Sequence, residues 1–311
     1  MAFYRALGTG MVISVDSPID DKVRSAMESL IEDYEHVLSR FRNDSLIAAI
    51  GKAEHGGSFD FPDWCAPLFD LYDALFSATS GAIDPCVGED LIRLGYDASL
   101  SFTVTQDAPE HLGALRGRAV WGRDVTRHGT TLVTHEPVQL DFGACGKGYL
   151  VDLLGRMLQS SQFVIDAGGD LLIHAEQPIS VALEDPEDQS HAIGIAHIAN
   201  GALCASAPSR RHWNVAVNER TQIAIHHLLN AIDGLPAQQT EASWAYVPAN
   251  ATLNLARDYP TAVADGLATA LFVSDVAQLQ RTFDFTYATL DESRQIAVSR
   301  NFPAELFLRS A

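Results

Sequence analysis

The stretch "QLDFGACGKGYLVDLLGRML", Gln139–Leu158, decides how the middle of the chain folds. Polar and apolar residues alternate up to Phe142, which is typical of a strand. Three glycines follow within six residues, and apolar residues then recur at helical spacing. We therefore predict a strand, a glycine-rich turn and a helix, with Lys147 at the point where the turn enters the helix.

Composition restricts the classes of function. The chain of 311 residues has 47% hydrophobic and 20% charged residues, which is typical of a globular protein. Its formal net charge of −19 repels nucleic acid and anionic lipid, so we expect neither as a partner. An anionic ligand would need a local cation.

The cysteines and the hydropathy pattern favour a cytoplasmic protein. The four cysteines lie far apart and form no CxxC pair, which indicates neither a zinc site nor a disulfide framework. The first residues lack the basic start and the long apolar segment of a signal peptide. No run approaches the roughly 20 apolar residues of a membrane helix, so we expect no membrane insertion.

Periodicity along the chain predicts an α+β fold. Helices are expected over residues 20–41, 62–81 and 261–273, which makes the first third, about residues 1–100, rich in helix. A first strand is expected over residues 6–16. Short strands dominate from about Thr131 onward, with a hairpin turn at Asn200-Gly201. Helices around mostly antiparallel strands favour α+β over a repeating βαβ fold, and without a visible linker we predict one domain over residues 1–311.

The glycine turn at Lys147 suits an anion. Amide N–H groups at the start of a helix have no partner within the helix, and a nearby ammonium adds to their attraction for phosphate. Lysine is scarce, since only Lys22 and Lys52 accompany Lys147. The spacing nevertheless matches neither GxxxxGK[ST] nor GxGxxG. A glycine-rich turn with a solvated lysine is the alternative interpretation.

The segment "YPTAVADGLATALFV" places Asp265 and Thr269 four residues apart, hence on one face of a helix. Two hard oxygen donors of this kind suit Mg²⁺. We expect Asp265 on the exposed first turn, where its loss would cost about as much as a helix cap, roughly 1 kcal/mol. Without a metal, the pair would be an Asp near a helix end and a Thr bonded back to the helix.

Three other motifs could belong to a ligand site or to ordinary structure. Asp84-Pro85 and the glycines after it form a turn, and Gly168-Gly169-Asp170 ends an apolar run where a backbone can approach a ligand. His226 and His227 end a strand and fall on its opposite faces, so paired metal ligation is disfavoured. Either imidazole could act as a base near neutral pH.

The order of these motifs resembles the ApbE family of FAD:protein FMN transferases. The resemblance extends from about Ala6 to Val273, and its most specific elements are D-x-G-x-x-x-K-G, GGD and AD-x-LATA. It implies a fused pair of α+β subdomains of mainly antiparallel sheet, with FAD in a cleft between them.

The resemblance also implies site residues, position by position. Asp265, Thr269 and a backbone carbonyl, from Ala144, match the metal ligands. Lys147 lies near the pyrophosphate and assists catalysis, and His227 is the base toward an acceptor hydroxyl. The remaining matches bind the flavin or the adenosine and phosphates of FAD: Asp84, Gly88, Gly146, Gly168, Gly169, Asp170 and Ser206.

The implied activity is Mg²⁺-dependent transfer of FMN from FAD to a Thr or Ser hydroxyl of an acceptor protein, with release of AMP. The chain departs from the family pattern at Asn230 and Ala231, which replace an Asp and a Pro, and around Ser206. Two alternatives follow from these changes. One is an FAD pyrophosphatase that uses water in place of the hydroxyl, and the other is an FAD-binding protein without turnover.

Overall fold

The structure is a computed structural model that describes residues 1–158, 160, 162–218 and 221–307. The α-helices are α1 Asp21–Leu38, α2 Leu46–Gly51, α3 Ala66–Ala78, α4 Gly88–Arg93, α5 Ala108–His111, α6 Gly146–Gly155, α7 Asn254–Asp258, α8 Pro260–Ala270 and α9 Val276–Leu279. The strands are β1 Ala2–Ala6, β2 Thr9–Val15, β3 Gly57–Asp60, β4 Val125–His128, β5 Thr131–Thr134, β6 Phe163–Asp166, β7 Asp170–Glu184, β8 Ala192–Ser206, β9 His212–Asn218, β10 Thr221–His226, β11 Leu229–Asn230, β12 Leu235–Pro236, β13 Thr240–Pro248, β14 Thr286–Asp291, β15 Ile296–Val298 and β16 Ala304–Leu306.

The chain divides into two compact units, and neither is continuous in sequence. Unit 1 consists of residues 1–32, 144–209 and 238–311. Unit 2 consists of residues 33–143 and 210–237. A single domain over residues 1–311 stays a prediction, as does an FAD cleft between subdomains.

A nine-stranded sheet forms the framework of unit 1. Its order is β1-β2-β6-β7-β8-β13-β14-β15, with β16 paired to β8, and the neighbouring strands are all antiparallel. The long strands β7 and β8 lie at its centre, paired from Asp170 with Cys204 to Glu184 with Ala192. The predicted α+β class with mainly antiparallel sheet is confirmed.

The core of unit 1 is built from the apolar residues of these strands. Ile173, Ile198 and Trp244 belong to a buried cluster that joins β7, β8 and β13. Because residues two apart in a strand lie on the same face, Ala196 and Ile198 of β8 both enter this cluster. The sheet thereby fixes the start of β7 and the end of β8, where the candidate residues Asp170 and Ser206 lie.

Unit 2 combines short helices with small sheets. Strands β3, β5 and β4 form one antiparallel sheet, while β9 with β10 and β11 with β12 form two strand pairs. Trp213 on β9 is buried against Leu91, Leu94 and Leu112, and its indole Nε1 donates to the Leu94 carbonyl oxygen at 2.9 Å. The return segment 210–237 therefore completes the core that residues 33–143 begin.

The first of three corrections concerns the opening of the chain. The strand predicted over residues 6–16 is β2, which begins only at Thr9. Leu7 and Gly8 form the turn that joins it to β1, an antiparallel partner that was not predicted. Both residues have positive φ, 52° and 73°, and Gly8 adopts this conformation readily.

The second correction concerns the start of the decisive stretch. Residues 137–142 form no strand ladder, although Val138, Leu140 and Phe142 are buried and alternate with less buried neighbours. The alternation therefore reflects burial of one face of an extended segment. That segment is anchored by the Asp141 N–H, which donates to Pro85 O at 2.7 Å.

The third correction concerns Asn200-Gly201, which lies inside β8 and forms no hairpin turn. Gly201 has a φ of 135°, and a Cβ at this position would lie 2.4 Å from the carbonyl oxygen of Val247. Glycine is therefore required here because β13 approaches closely.

Candidate functional site

Helices α6 and α8 of unit 1 carry most of the predicted catalytic and metal-binding residues. They approach closely at Gly148, where a Cβ would lie only 2.3 Å from the carbonyl oxygen of Thr261. The Gly148 N–H donates to Asp265 Oδ2 at 3.0 Å. The glycine turn before α6 also reaches α8, since Thr269 Oγ1 donates to Ala144 O at 3.4 Å.

Lys147 lies between two buried carboxylates. Its Nζ pairs with Asp170 Oδ2 in a short contact and with Asp265 Oδ1 at 3.4 Å. The side chains of Asp170 and Asp265 are 1% and 3% exposed, whereas that of Lys147 is 32% exposed. The structure thus brings together three residues that the sequence predicted separately, and the group carries one more negative than positive charge when all three are ionised.

Burial and mutual charge shift the proton affinities of this group. Burial and then the neighbouring Asp170 raise the pKa of Asp265 to about 7, against the opposing effects of Lys147 and the Gly148 N–H. Burial also raises the pKa of Asp170, against the attraction of Lys147. Burial alone would lower the pKa of Lys147, but the two carboxylates outweigh it and hold that pKa above its ordinary value. An added cation would relieve this excess of buried negative charge.

The oxygen atoms around Asp265 fit a hard cation. The Asp265 carboxylate faces the start of α6, where it accepts from Gly148 N, and one turn further along α8 the Thr269 hydroxyl donates to the Ala144 carbonyl of the turn before α6. Asp170 Oδ1 is buried and has no hydrogen bond of ordinary geometry among the described residues, with the weakly polar Cys204 thiol beside it. The described residues hold no group of three or more His, Cys, Asp or Glu arranged for a metal. A cation here would complete its shell with water or phosphate oxygens, as Mg²⁺ does.

Asp265 is not on an exposed first turn, and that expectation was wrong. The residue is 2% exposed in the middle of α8, and its neighbours Ala264 and Leu267 are fully buried. Because a buried carboxylate has partners to lose, its removal perturbs more than a helix cap.

The turn Gly168–Asp170 connects β6 to β7 and delivers Asp170 to Lys147. Gly168 and Gly169 have φ of 70° and 108°, a conformation that favours glycine. Asp166 Oδ1 accepts from their N–H groups at 2.9 and 3.3 Å. Ser206 ends β8 in the same unit and pairs with Ser243 of β13.

Asp84 lies in unit 2, where its side chain is used inside the fold. Its Oδ1 accepts from Cys86 N at 2.8 Å and its Oδ2 lies 3.4 Å from Arg118 Nη1. Arg118 also pairs with Asp90 through Nε at 2.8 Å and donates to Ala231 O at 2.7 Å. Burial raises the pKa of Asp84 and the Arg118 guanidinium opposes that rise. Sequence reasoning missed this buried ion group, because nothing in the spacing connects residues 84, 90 and 118.

Gly88 begins α4 and also has a structural requirement. A Cβ at Gly88 would lie 2.7 Å from the carbonyl oxygen of Gln139. The absence of a side chain at Gly88 allows the extended segment 137–142 to pack against α4 within unit 2.

The two histidines differ in how their rings are held. His226 Nε2 lies 2.7 Å from Ala237 O, and its Nδ1 accepts from Leu228 N at 3.2 Å, so both nitrogens are used in the fold. Burial lowers the pKa of His226. His227 Nδ1 lies 3.2 Å from Arg211 O, which can accept only a proton carried by Nδ1. Its Nε2 then holds the lone pair that a base needs.

A second group that the sequence did not indicate is a set of aromatic side chains in unit 2. The Arg40 guanidinium lies 4.2 Å from the Phe41 ring centre and 4.7 Å from that of Tyr96. Tyr96 stacks on Trp213 at 5.8 Å. Phe41 and Phe102 are 42% and 41% exposed, so the group presents aromatic surface to solvent.

Among the described residues, no helix has the length and apolar character required to span a bilayer.

Known proteins share both the sequence pattern and the fold. The profile of the ApbE family matches residues 7–289. An FAD:protein FMN transferase of Klebsiella pneumoniae is 23% identical over 84% of this chain and 74% of its own length. The FAD:protein FMN transferase of Treponema pallidum is 27% identical over 81% of this chain and 72% of its own length.

Solved structures agree on the fold. The ApbE protein of Thermotoga maritima superposes with a TM-score of 0.78 at 20% identity, covering 97% of this chain and 98% of its own. The flavin transferase ApbE of Vibrio cholerae gives a TM-score of 0.76 at 17% identity, covering 97% of both chains. With the family profile spanning almost the whole described sequence, from the first hairpin to β14, the chain belongs to the ApbE family.

Proposed function

We propose that the protein transfers FMN from FAD to a Thr or Ser hydroxyl of an acceptor protein. The observation that carries this proposal is the group of Lys147, Asp170 and Asp265, with the contact between Thr269 and the Ala144 carbonyl about one turn further along α8. The Lys147 ammonium supplies one positive charge, and the oxygen atoms could bind a metal cation that supplies a second. Such charges balance the negative charge of a pyrophosphate. The relatives named as FAD:protein FMN transferases support the choice of FAD.

The reaction balances as a phosphoryl transfer. The acceptor oxygen forms a bond to the phosphorus of the FMN half, and the bond from that phosphorus to the bridging oxygen breaks. AMP leaves with the bridging oxygen, and the hydroxyl proton passes to a base. Charge accumulates on the phosphoryl oxygens during this exchange, so fixed positive charge accelerates it.

Lys147 supplies such charge. Because Asp170 and Asp265 hold the pKa of Lys147 above its ordinary value, its amine carries a positive charge near neutral pH. Bound Mg²⁺ would be held by Asp265, Thr269 and the Ala144 carbonyl, and would neutralise phosphoryl charge. The Gly168–Gly169 turn and Ser206 belong to the same unit and are proposed to contact FAD.

His227 is the proposed base, because its position matches the histidine of the family pattern, and the Arg211 carbonyl 3.2 Å from its Nδ1 orients the ring. His226 is unsuited, because both of its ring nitrogens have partners within unit 2. A neutral imidazole accepts a hydroxyl proton near neutral pH, and such assistance typically contributes about 10²–10⁴ in rate. Asp84, whose side chain is satisfied inside unit 2, is proposed to shape the flavin pocket through the turn that it caps.

The experiment is incubation with FAD and Mg²⁺, followed by chromatography for AMP, with and without a Thr-containing acceptor peptide. AMP together with flavin-labelled peptide is the expected result. AMP with free FMN and no labelled peptide would identify a pyrophosphatase, and bound FAD without AMP would identify an inactive binder. Asp265→Asn should abolish Mg²⁺-dependent turnover, whereas the matched change Asp275→Asn at the cap of α9 should leave it unchanged.

Asn230 tests whether the departure from the family pattern limits the rate. Its Oδ1 accepts from Ile232 N at 3.0 Å, and an Asp would retain that hydrogen bond. Asn230→Asp should therefore fold normally. Activity that appears only in this variant would favour the inactive binder as the description of the natural protein.

A further inference from the structure

Helices α6 and α8 run antiparallel in a constant register. Each step of four residues toward the C-terminus of α6 is matched by about four residues toward the N-terminus of α8. The steps pair Ala144 with Thr269, Gly148 with Asp265, Asp152 with Thr261 and Ala262, and Arg156 with Asp258. The pairs Ala144–Thr269 and Gly148–Asp265 contain the proposed metal ligands. The pair formed by Asp152 lies one helical turn further along α6.

Asp152 caps α8 from another helix. Its Oδ1 accepts from Thr261 N at 3.1 Å and its Oδ2 accepts from Ala262 N at 2.8 Å. These amides belong to the first turn of α8, where N–H groups have no partner within the helix. The residue at the N-cap position of α8 is Tyr259, which makes no capping hydrogen bond with its side chain. The sequence of α8 does not supply a cap, and α6 supplies one.

The cap connects α8 to the helix that bears the other half of the site. Asp152 is 3% exposed, and both of its oxygens are occupied by α8. Asp265 lies about one helical turn beyond the capped amides and Thr269 about two turns, or roughly 5 and 11 Å along the axis. A slide or rotation of α8 against α6 would separate Asp265 from Gly148 and Thr269 from Ala144.

Other side-chain contacts hold α8 on the sheet or lie outside the two helices. Ser243 Oγ donates to Ala268 O at 2.6 Å, and Cys204 Sγ donates to Thr261 O at 3.5 Å, so β13 and β8 hold α8 on the sheet. Arg156 lies 3.9 Å from the Tyr259 ring centre and donates to Asp258 O at 2.6 Å, but this pair precedes the helix and is exposed. Asp152 is a buried carboxyl group that joins the body of α6 to the start of α8.

We propose that Asp152 is a positioning residue for the metal site, an inference that rests on the proposed function. It touches neither the cation nor FAD. It sets the position of α8 along its axis, so that Asp265 stays opposite the Gly148 N–H and Thr269 stays opposite the Ala144 carbonyl. Groups that orient ligands in this way typically contribute 10–100-fold to metal affinity.

The test compares Asp152→Ala and Asp152→Asn with Asp275→Ala. Asp275 caps α9 in the same unit through Ala277 N at 2.7 Å, so its replacement removes the same kind of hydrogen bond without contacting α6. Mg²⁺ binding is measured by calorimetry without FAD, and the Mg²⁺ concentration for half-maximal turnover is measured with FAD. We expect about 10–100-fold weaker binding in Asp152→Ala, a smaller loss in Asp152→Asn, and parental affinity in Asp275→Ala.

Two further readouts separate positioning from loss of fold. In Asp152→Ala, excess Mg²⁺ should restore the parental maximal rate, since the ligands themselves remain. Hydrogen exchange at the Gly148 N–H, which donates to Asp265, should accelerate at least 10-fold in Asp152→Ala and stay unchanged in Asp275→Ala.

The outcomes distinguish this inference from the proposed function. A parent that binds Mg²⁺ with an Asp152→Ala variant of equal affinity overturns the positioning role and leaves the proposed function intact. A parent that neither binds Mg²⁺ nor releases AMP overturns the proposed function and, with it, the role of Asp152 at a metal site. In a parent that binds Mg²⁺, unchanged Gly148 exchange in Asp152→Ala rejects the inference, and accelerated exchange together with weaker Mg²⁺ binding supports it.

Discussion

Gly148→Ala should destabilise unit 1 by pushing α6 and α8 apart. The new Cβ would lie 2.3 Å from Thr261 O and 2.9 Å from Ala262 N, both rigid backbone atoms. An ordinary carbon–oxygen contact is about 3.3 Å, so the helices must separate locally by about 1 Å. The 3.0 Å hydrogen bond from Gly148 N to Asp265 then stretches to about 4 Å and is lost.

The magnitude follows from three contributions. Overpacking of this kind costs about 2 kcal/mol, and a hydrogen bond to a carboxylate contributes about 1.5 kcal/mol. Alanine in place of glycine within a helix restores about 1 kcal/mol. The net loss is about 2–3 kcal/mol, or about 5 °C in melting temperature for a chain of this size.

Gly155→Ala is the matched control, because it lies on the same helix and meets a different kind of neighbour. Its Cβ would lie 2.7 Å from Leu172 Cδ2, the end of a side chain that can rotate away. We expect a change within about 1 kcal/mol. Urea unfolding of both variants measures the difference. Equal stability of Gly148→Ala and Gly155→Ala would refute the close helix approach.

Three other changes test the remaining groups. Arg118→Met should cost about 3–5 kcal/mol in urea unfolding, because it leaves two buried carboxylates without their cation, whereas Arg123→Met on the surface should change stability by less than about 0.5 kcal/mol. His227→Ala should lower FMN transfer about 10²–10⁴-fold in the peptide assay, and His226→Ala, which removes two internal hydrogen bonds, should mainly lower the melting temperature; equal transfer by His227→Ala and the parent would remove this base. Burial raises the pKa of Asp97, but the hydrogen bonds from Ser101 and Ser99 together outweigh it and lower the pKa to about 2, so the stabilisation by Asp97 is complete above about pH 4 and is lost as the pH falls through 2. The difference in free energy of unfolding between Asp97→Asn and the parent should therefore shrink from pH 6 to pH 2, and a constant difference would contradict this.

Local patterns predicted the parts of the site that depend on neighbours in sequence. The four-residue spacing of Asp265 and Thr269 indicated one helical face, and the glycines around Lys147 indicated a turn into a helix. Both elements exist as α8 and α6. Burial of Asp265 could not be read in this way, because it depends on the sheet beneath the helix.

Contacts between distant segments were not predictable from one sequence. Asp152 caps amides 109 and 110 residues away, and Lys147 meets Asp265 at a separation of 118. Their residue types carry no sign of these partners, since an Asp in a helix and an Asp in a metal site look alike. The opposite error occurred at residues 137–142. Buried and less buried residues do alternate there, but a strand also needs a neighbouring strand to pair with, and the sequence alone does not show whether one is present.

The discontinuity of unit 2 has a consequence for synthesis on the ribosome. Leu91, Leu94 and Leu112 emerge about a hundred residues before Trp213, Ile225 and Leu229, with which they share a buried cluster. At about 5–20 residues per second, the first half of that cluster waits roughly 5–20 s for the second. During this interval its leucines are exposed in the nascent chain. Chaperone capture, and aggregation when chaperones are limiting, should therefore concentrate on chains that end between residues 112 and 229.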